Sequence, residues 1–446
     1  MSTFNTNTYH NTKNTIIMEV ISTKQEEKSP RLWLKALLIF GISVALLIPQ
    51  VLITHLIDER QATRTEAQSE VSQSWSGTQH IAGPAIIIPN SNDSSYISIF
   101  PSDLKITGNL TTETLKRGIF NFSVYNVPLT ITGEFDFPAK LASMNISHYV
   151  MEKAYLFISL SDLRGLTDNA TLTWNGEKHT IETATGGSNN DIATGLTYAV
   201  NIQPILDGQK IRFTIQLPLK GSEGLYVAPV GNITNAELKS DWGSPSFQGN
   251  FLPTSRQVSD SGFTASWKVL AMNRNFGQVR TNSTCWDSLM EDCEFGVDLH
   301  IPVDQYQQTT RTVKYAFLVI VLTFAVVFFV EIRRNTFIHP IQYLLIGIAL
   351  LLFYTLLLSF SEHIAFSCSY LIAAIMTIGL ITAFMAAILK GNRKTAFIVG
   401  LSLSALYIFL YVLLQLETYA LLVGSIGLFV ILAVAMFATV KLRNER

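Results

Sequence analysis

Apolar residues run almost unbroken in one block near the N-terminus and in five more blocks after residue 312, and between these regions they fall in short alternating runs. A bilayer core about 30 Å thick needs about 20 mostly apolar residues to span it as a helix. Six stretches meet that length: 36–56, 315–332, 341–360, 366–389, 395–416 and 419–440. Residues 58–74 lack Gly and Pro and are rich in Glu, Gln, Arg and Ala, so they continue the first span as a polar helix that ends near Trp75. From about residue 79 the pattern changes to short β-branched and aromatic runs: 85–88, 96–100, 119–125, 129–135, 153–160, 170–174, 196–202, 210–217, 263–269 and 296–301. Ile211, Phe213, Ile215 and Leu217 alternate with polar neighbours, the period of a half-buried strand. Asn175-Gly176 between two such runs signals a type I′ hairpin.

The expected fold is therefore a membrane protein of α+β type. It has six transmembrane helices, one N-terminal and five C-terminal, and a large periplasmic all-β sandwich or barrel-like domain. The expected segments are a disordered cytoplasmic tail at 1–30, a signal-anchor helix at 31–57 and a helical linker at 58–78. The β-rich domain then covers 79–311, and a five-helix bundle covers 312–446. The first apolar run is too long, and lies too far from the N-terminus, for a cleaved signal peptide.

Charge supplies the orientation. Lys24, Lys28, Arg31 and Lys35 precede the first span, and Arg333 and Arg334 follow the second. Lys390, Arg393 and Lys394 separate the fourth and fifth, and Lys441, Arg443 and Arg446 follow the sixth. In a six-span reading all of these fall on one side, which the bias of Lys and Arg toward cytoplasmic loops makes the cytoplasm. Both termini are then cytoplasmic and the β domain is extracytoplasmic. Hydrophobic residues make up 48% of the 446 and charged residues 15%, with a formal net charge of −1. No basic face points to nucleic acid.

Candidate chemistry is sparse. No P-loop, HExxH or CxxC appears, so no enzyme class, cofactor or metal is indicated. Topology puts His55, Asp58, Glu59, Glu362, His363 and Glu417 at the outer membrane edge. That set reads as an ion site, as a polar contact surface, or as ordinary interfacial solvation. Glu59, Arg60, Arg64, Glu66 and Glu70 read as a solvated helix face. Cys285 and Cys293 lie in the oxidising compartment and are candidates for a disulfide, with two thiols as the alternative. Cys368, within a span, reads as a packing residue. An intramembrane Ser–His protease is disfavoured, because Ser402 lies in no GxSxG elbow and His339 and His363 stand at span ends. Asn-x-Ser/Thr sequons, Asn109, Asn121, Asn145, Asn169, Asn232 and Asn282 among them, occur in a segment rich enough in Asn, Ser and Thr for chance to supply them.

Several long blocks resemble the CreD family of inner-membrane, cell-envelope-integrity proteins: LIDERQATRTEA at 56–67, GPAIIIP at 83–89, PSFQGNFLPTSRQVSDSGFTASW at 245–267, NRNFGQ at 273–278, FGVDLHIPVDQYQ at 295–307, the block from 339 to 366, and YVLLQLETYALLVGS at 411–425. The resemblance implies a Gram-negative inner membrane, a periplasmic domain and a role in envelope integrity or stress response. It carries no catalytic residues. The expected function is a non-enzymatic envelope protein whose β domain binds or senses an envelope component or partner, with the lipid bilayer as its setting. The alternative is a transporter or lipid-handling protein that works through the C-terminal bundle. A polar cavity opening to one side would favour that alternative, and a tightly packed apolar bundle would count against it.

Overall fold

A computed structural model describes residues 29–93, 95–144, 146–184, 194–281, 293–299, 305–334, 336–389, 393–416 and 419–444. The expected N-terminal tail, Cys285, Glu417 and the sequons at Asn145 and Asn282 lie outside the described residues. The chain divides into a helical unit, Met1–Ala62 with Val303–Arg446, and a β unit, Thr63–Pro302.

The helical unit holds the six expected apolar helices. The first span is two consecutive helices, α1 (Ser29–Ala45) and α2 (Leu47–Trp75). They meet at Leu46, one turn before Pro49, which has no N–H to donate to the turn before it. Backbone bonds from Leu46 N to Ile42 O and from Gln50 N to Leu46 O carry the helix through the break. A short amphipathic helix, α3 (Gln305–Lys314), leads into α4 (Ala316–Arg334). Then come α5 (Pro340–Ser361), α6 (Phe366–Ile388), α7 (Arg393–Gln415) and α8 (Ala420–Asn444). The first span and α4 to α7 are each long and apolar enough to cross a membrane, and α8 carries the apolar run Leu421–Val434. Gly347 of α5 lies where an added Cβ would collide with Leu46 and crowd Phe324, so a small residue lets α1 and α4 close on α5.

The β unit is two sheets around one hydrophobic core. The nine-stranded sheet contains β1 (Gln79–Pro89), β2 (Tyr96–Ile99), β5 (Tyr155–Leu160), β8 (Glu182–Ala184), β9 (Gly195–Ala199), β11 (Gly224–Val227), β13 (Ser246–Gly249), β16 (Val279–Thr281) and β17 (Phe295–Asp298). The other has the order β14-β15-β12-β3-β4-β10-β6-β7. Its strands are β3 (Asp103–Arg117), β4 (Phe120–Phe135), β6 (Thr171–Trp174), β7 (Glu177–Thr180), β10 (Ile211–Ser222), β12 (Ile233–Ser240), β14 (Ser255–Ser259) and β15 (Gly262–Leu270). β1 is buried along nearly its whole length, as the continuous run GPAIIIP demands of a central strand. In β10 Ile211, Phe213, Ile215 and Leu217 face the core. Asn175 and Gly176 both take positive φ, 50° and 93°, and close the β6–β7 hairpin as expected.

Two differences from the sequence reading are informative. The runs 119–125 and 129–135 are one strand, β4, with Pro128 inside it. Pro128 sits opposite Pro218 of β10, and the ladder from β4 to β3 lapses between Thr107 and Thr111, so the missing N–H breaks no pairing. The largely polar β3 escaped the pattern search, because only Leu104, Ile106 and Leu110 of it reach the core.

α2 ends at Trp75, and the turn into β1 is held by Asp162. Its Oδ2 accepts from the Ser76 hydroxyl at 3.1 Å and its Oδ1 from Arg164 Nε at 2.9 Å, while Arg164 Nη1 donates to the Gln73 carbonyl in the last turn of α2 at 2.8 Å. A cation on those last carbonyls suits the negative end of the helix dipole. Arg164 holds the Asp162 carboxyl at about 2, below the roughly 3.9 of a free aspartate. A depressed carboxylate contributes stability above its unfolded value and loses it as pH falls through its folded value. Thermal unfolding of the purified chain is therefore expected to show a fall in Tm between about pH 4 and pH 2. Asp162→Asn should lower Tm at neutral pH and flatten that acid slope. An unchanged slope would show that Asp162 does not carry it.

Candidate functional site

The polar side chains of the helical unit gather at its two ends. At one end, Glu362 caps the C-terminus of α5. Its Oε1 lies 3.9 Å from Arg60 Nε of α2 and accepts a hydrogen bond from the buried hydroxyl of Tyr306 in α3 at 3.1 Å. Gln50 of α2 also donates to the Val313 carbonyl of α3 at 3.1 Å. Of the expected outer-edge set, Glu362 takes part in this junction, and Glu417 lies outside the described residues. His55, Asp58, Glu59 and His363 are exposed. Among the described residues no group of three or more His, Cys, Asp or Glu is placed to hold a metal ion. The solvated face expected on α2 is exposed at Glu59, Arg60, Glu66 and Glu70, and two of these also pair, Arg60 with Glu362 and Glu70 with Arg117 of β3.

At the other end stands a group that sequence reasoning missed. Glu331, in the last turn of α4, is 7% exposed. Its carboxylate receives the Lys35 ammonium of α1, the Tyr343 hydroxyl of α5 at 2.8 Å and the Ile338 N–H at 3.2 Å. Lys35 also donates to the Ile338 carbonyl at 2.8 Å and lies 4.1 Å from the centre of the Phe337 ring. A buried ion pair offsets its desolvation only when its remaining donors and acceptors are filled, and here they are. The signal was available: a carboxylate inside an apolar window calls for a cation at the same depth. Glu331 read instead as the end of a span, and Lys35 as a marker of orientation.

Tyr343 and Glu362 stand about 28 Å apart along α5, at a rise of 1.5 Å per residue. That is close to the roughly 30 Å of a bilayer core. The two polar clamps therefore bracket one hydrocarbon thickness, and both tie the first span to α5.

Between the clamps the bundle is apolar and aromatic. Phe353, Tyr370 and Tyr407 pack edge to face, and Tyr370 donates to the Tyr407 carbonyl at 2.8 Å. The buried hydroxyls of Tyr354 and Tyr407 have no hydrogen-bond partner among the described residues. Ser402 donates to its own helix at Ile398 O, and His339 caps the start of α5, so neither forms a Ser–His pair. Cys368 is exposed on the outer face of α6 and not packed inside. A cavity of about 1010 Å³ lies between α4, α7 and α8.

In the β unit, Cys293 is buried, and its candidate partner Cys285 is outside the described residues. Beside it, Glu294 Oε2 lies 2.7 Å from His80 Nδ1. The His80 ring stacks on Tyr226, whose hydroxyl donates to Asp298 at 2.5 Å. Burial and that carboxylate push the Tyr226 phenol well above its ordinary range. At an edge of the eight-stranded sheet, β14 is exposed at every residue. Val258 on it is 50% exposed, and Leu252, just before it, 70%.

Truncating Glu331 strands a largely buried ammonium and a phenol. Glu331→Ala is expected to cost about 3–5 kcal/mol. Lys35→Met with Glu331→Gln should cost much less than Glu331→Ala, because it leaves no charge uncompensated. Thermal unfolding of each variant in detergent separates the two, and equal losses would refute the clamp.

The family model described as inner membrane protein CreD matches residues 31–444. Inner membrane protein CreD of Escherichia coli (strain K12) is 35% identical over 432 residues, covering 92% of this chain and 93% of that protein. The chain belongs to the CreD family.

Proposed function

We infer that this chain is a non-enzymatic envelope protein of the inner membrane, which holds its β unit in the periplasm and binds an envelope component along an exposed strand edge. The orientation rests on charge. Lys35, Arg333, Arg334, Arg393 and Lys394 stand at the helix ends that share one side of the bundle, and the bias of such residues toward the cytoplasm makes that side internal. The β unit, which leaves from the far end of the first span and returns through α3, is then external.

The single observation that carries the binding role is β14. An edge strand presents unpaired backbone donors and acceptors, which proteins normally blunt or cover. Here the strand is exposed throughout, carries Val258 outward and follows the exposed Leu252. Trp267 donates to the Phe251 carbonyl and Thr254 N to the Ser266 carbonyl, so the segment before β14 is fastened along β15. A fixed, open edge suits strand addition by an extended partner. The block 245–267 that carries it is the longest stretch of resemblance between this sequence and the CreD family before the C-terminal helices.

Photocrosslinking in living cells tests this. A benzophenone side chain at Val258 is expected to capture an envelope component, and Ser259→Cys should react with a membrane-impermeant maleimide that leaves Phe337→Cys unlabelled. Val258→Lys, in full-length protein, should remove the capture. Absence of an adduct from every β14 position would sink the binding role, and labelling of Phe337→Cys in place of Ser259→Cys would reverse the orientation.

A further inference from the structure

The cavity between α4, α7 and α8 has an apolar body and a cationic end. Phe329, Val330, Leu406, Phe409 and Ile431 are among its walls, and Arg333 and Arg334 close one end of it. From Leu322 to Arg334 along α4 the groove runs about 18 Å, at 1.5 Å per residue. One leaflet of hydrocarbon is about 15 Å deep, half of the roughly 30 Å bilayer core. The groove thus has the depth of one leaflet and ends in two guanidinium groups where the headgroups begin.

Its polar content argues against a hydrophilic occupant. Ser402 spends its hydroxyl on its own helix. The Thr323 hydroxyl, at the deep end, is buried and has no hydrogen-bond partner among the described residues. Thr395 adds one further hydroxyl to the lining, and hydroxyls this few do not coordinate an ion or a sugar. On the α8 side, Gly427 lets that helix close on the Phe409 ring, where a Cβ would collide with it, and Val430 is exposed. Basic pockets between membrane helices take anionic lipid headgroups, and guanidinium groups bind phosphate in paired hydrogen bonds.

We propose that this groove is a binding site for an anionic phospholipid of the surrounding bilayer, with an acyl chain laid between α4, α7 and α8 and its phosphate on Arg333 and Arg334. The site lies within the helical unit, and it stands or falls independently of binding at β14.

Native mass spectrometry of the full chain, delipidated in detergent and given equal phosphatidylglycerol and phosphatidylcholine of identical acyl chains, is the test. Retained phosphatidylglycerol is expected to exceed phosphatidylcholine by about thirtyfold, given about 1 kcal/mol for each of the two arginines at a membrane surface. R333A/R334A should bring the two lipids to parity. V430W, at an exposed wall position, should displace both. R393A/K394A, which removes two neighbouring charges outside the groove, should change nothing. Inorganic phosphate in the millimolar range should fail to compete, since the acyl chain supplies the anchoring. The site is refuted by equal retention of the two lipids, by an equal effect of R393A/K394A, or by V430W leaving retention unchanged. It is equally refuted if the groove is filled by a second copy of the chain, seen as a dimer without lipid.

Discussion

The helical unit depends on one carboxylate. Glu331 holds Lys35 of α1 and Tyr343 of α5, so a single buried group joins the first span to the C-terminal block across nearly three hundred residues of sequence. Without such a bond, helices in lipid gain little from hydrophobic burial against one another, because lipid tails are as apolar as the side chains they would replace. Packing around Gly347 and the buried ion pair supply what hydrophobicity does not. Glu362, with Arg60 and Tyr306, repeats the arrangement one bilayer thickness away. The first span is thus fastened at both ends, and the residues between α2 and α3 form an insertion whose two stems belong to one bundle.

Much of the architecture was legible in the sequence because it follows from solvent. Apolar windows long enough to cross a bilayer have few other uses, and the basic residues flanking them alternate only if the count is six. The β segments 85–88, 170–174 and 263–269 were legible for a related reason, since β-branched and aromatic runs bounded by turn residues have one good way to bury themselves. β3 and β14 were not legible. Their side chains do little burying, and they are strands because a neighbour offers a ladder, as β4 does for β3 and β15 for β14. Tertiary pairing of that kind leaves no periodic mark.

The candidate sites were less visible than the fold. Depth alone grouped His55, Asp58, Glu59, Glu362 and His363, but depth does not choose which helix faces meet, and it is Glu362 that meets Arg60 and Tyr306. Its partners went unnoticed: Arg60 is solvated as expected but also reaches Glu362, and Tyr306 was unremarked, as any tyrosine near a membrane edge would be. The groove was hidden for a different reason. Its residues sit on three separate helices, and each reads singly as a lipid-facing apolar residue. Only when α4, α7 and α8 are placed together do Arg333 and Arg334 cease to be topology markers and become the end of a cavity.

The position of the polar groups also bears on what the helices can carry. A path for a hydrophilic solute needs groups that replace water along its length, and these are expensive to keep in hydrocarbon. Among the described residues, the charged groups are spent at the two ends, where each clamp is engaged by its own partners. Between them stand the unpartnered hydroxyls of Tyr354, Tyr407 and Thr323, dispersed among aliphatic and aromatic side chains. Hydroxyls this sparse cannot strip an ion of its hydration, yet an apolar wall with a cationic rim matches an amphiphile at both ends of its structure. The same economy that fastens the first span therefore leaves the interior suited to hydrocarbon, with Arg333 and Arg334 of α4 at the end of the groove.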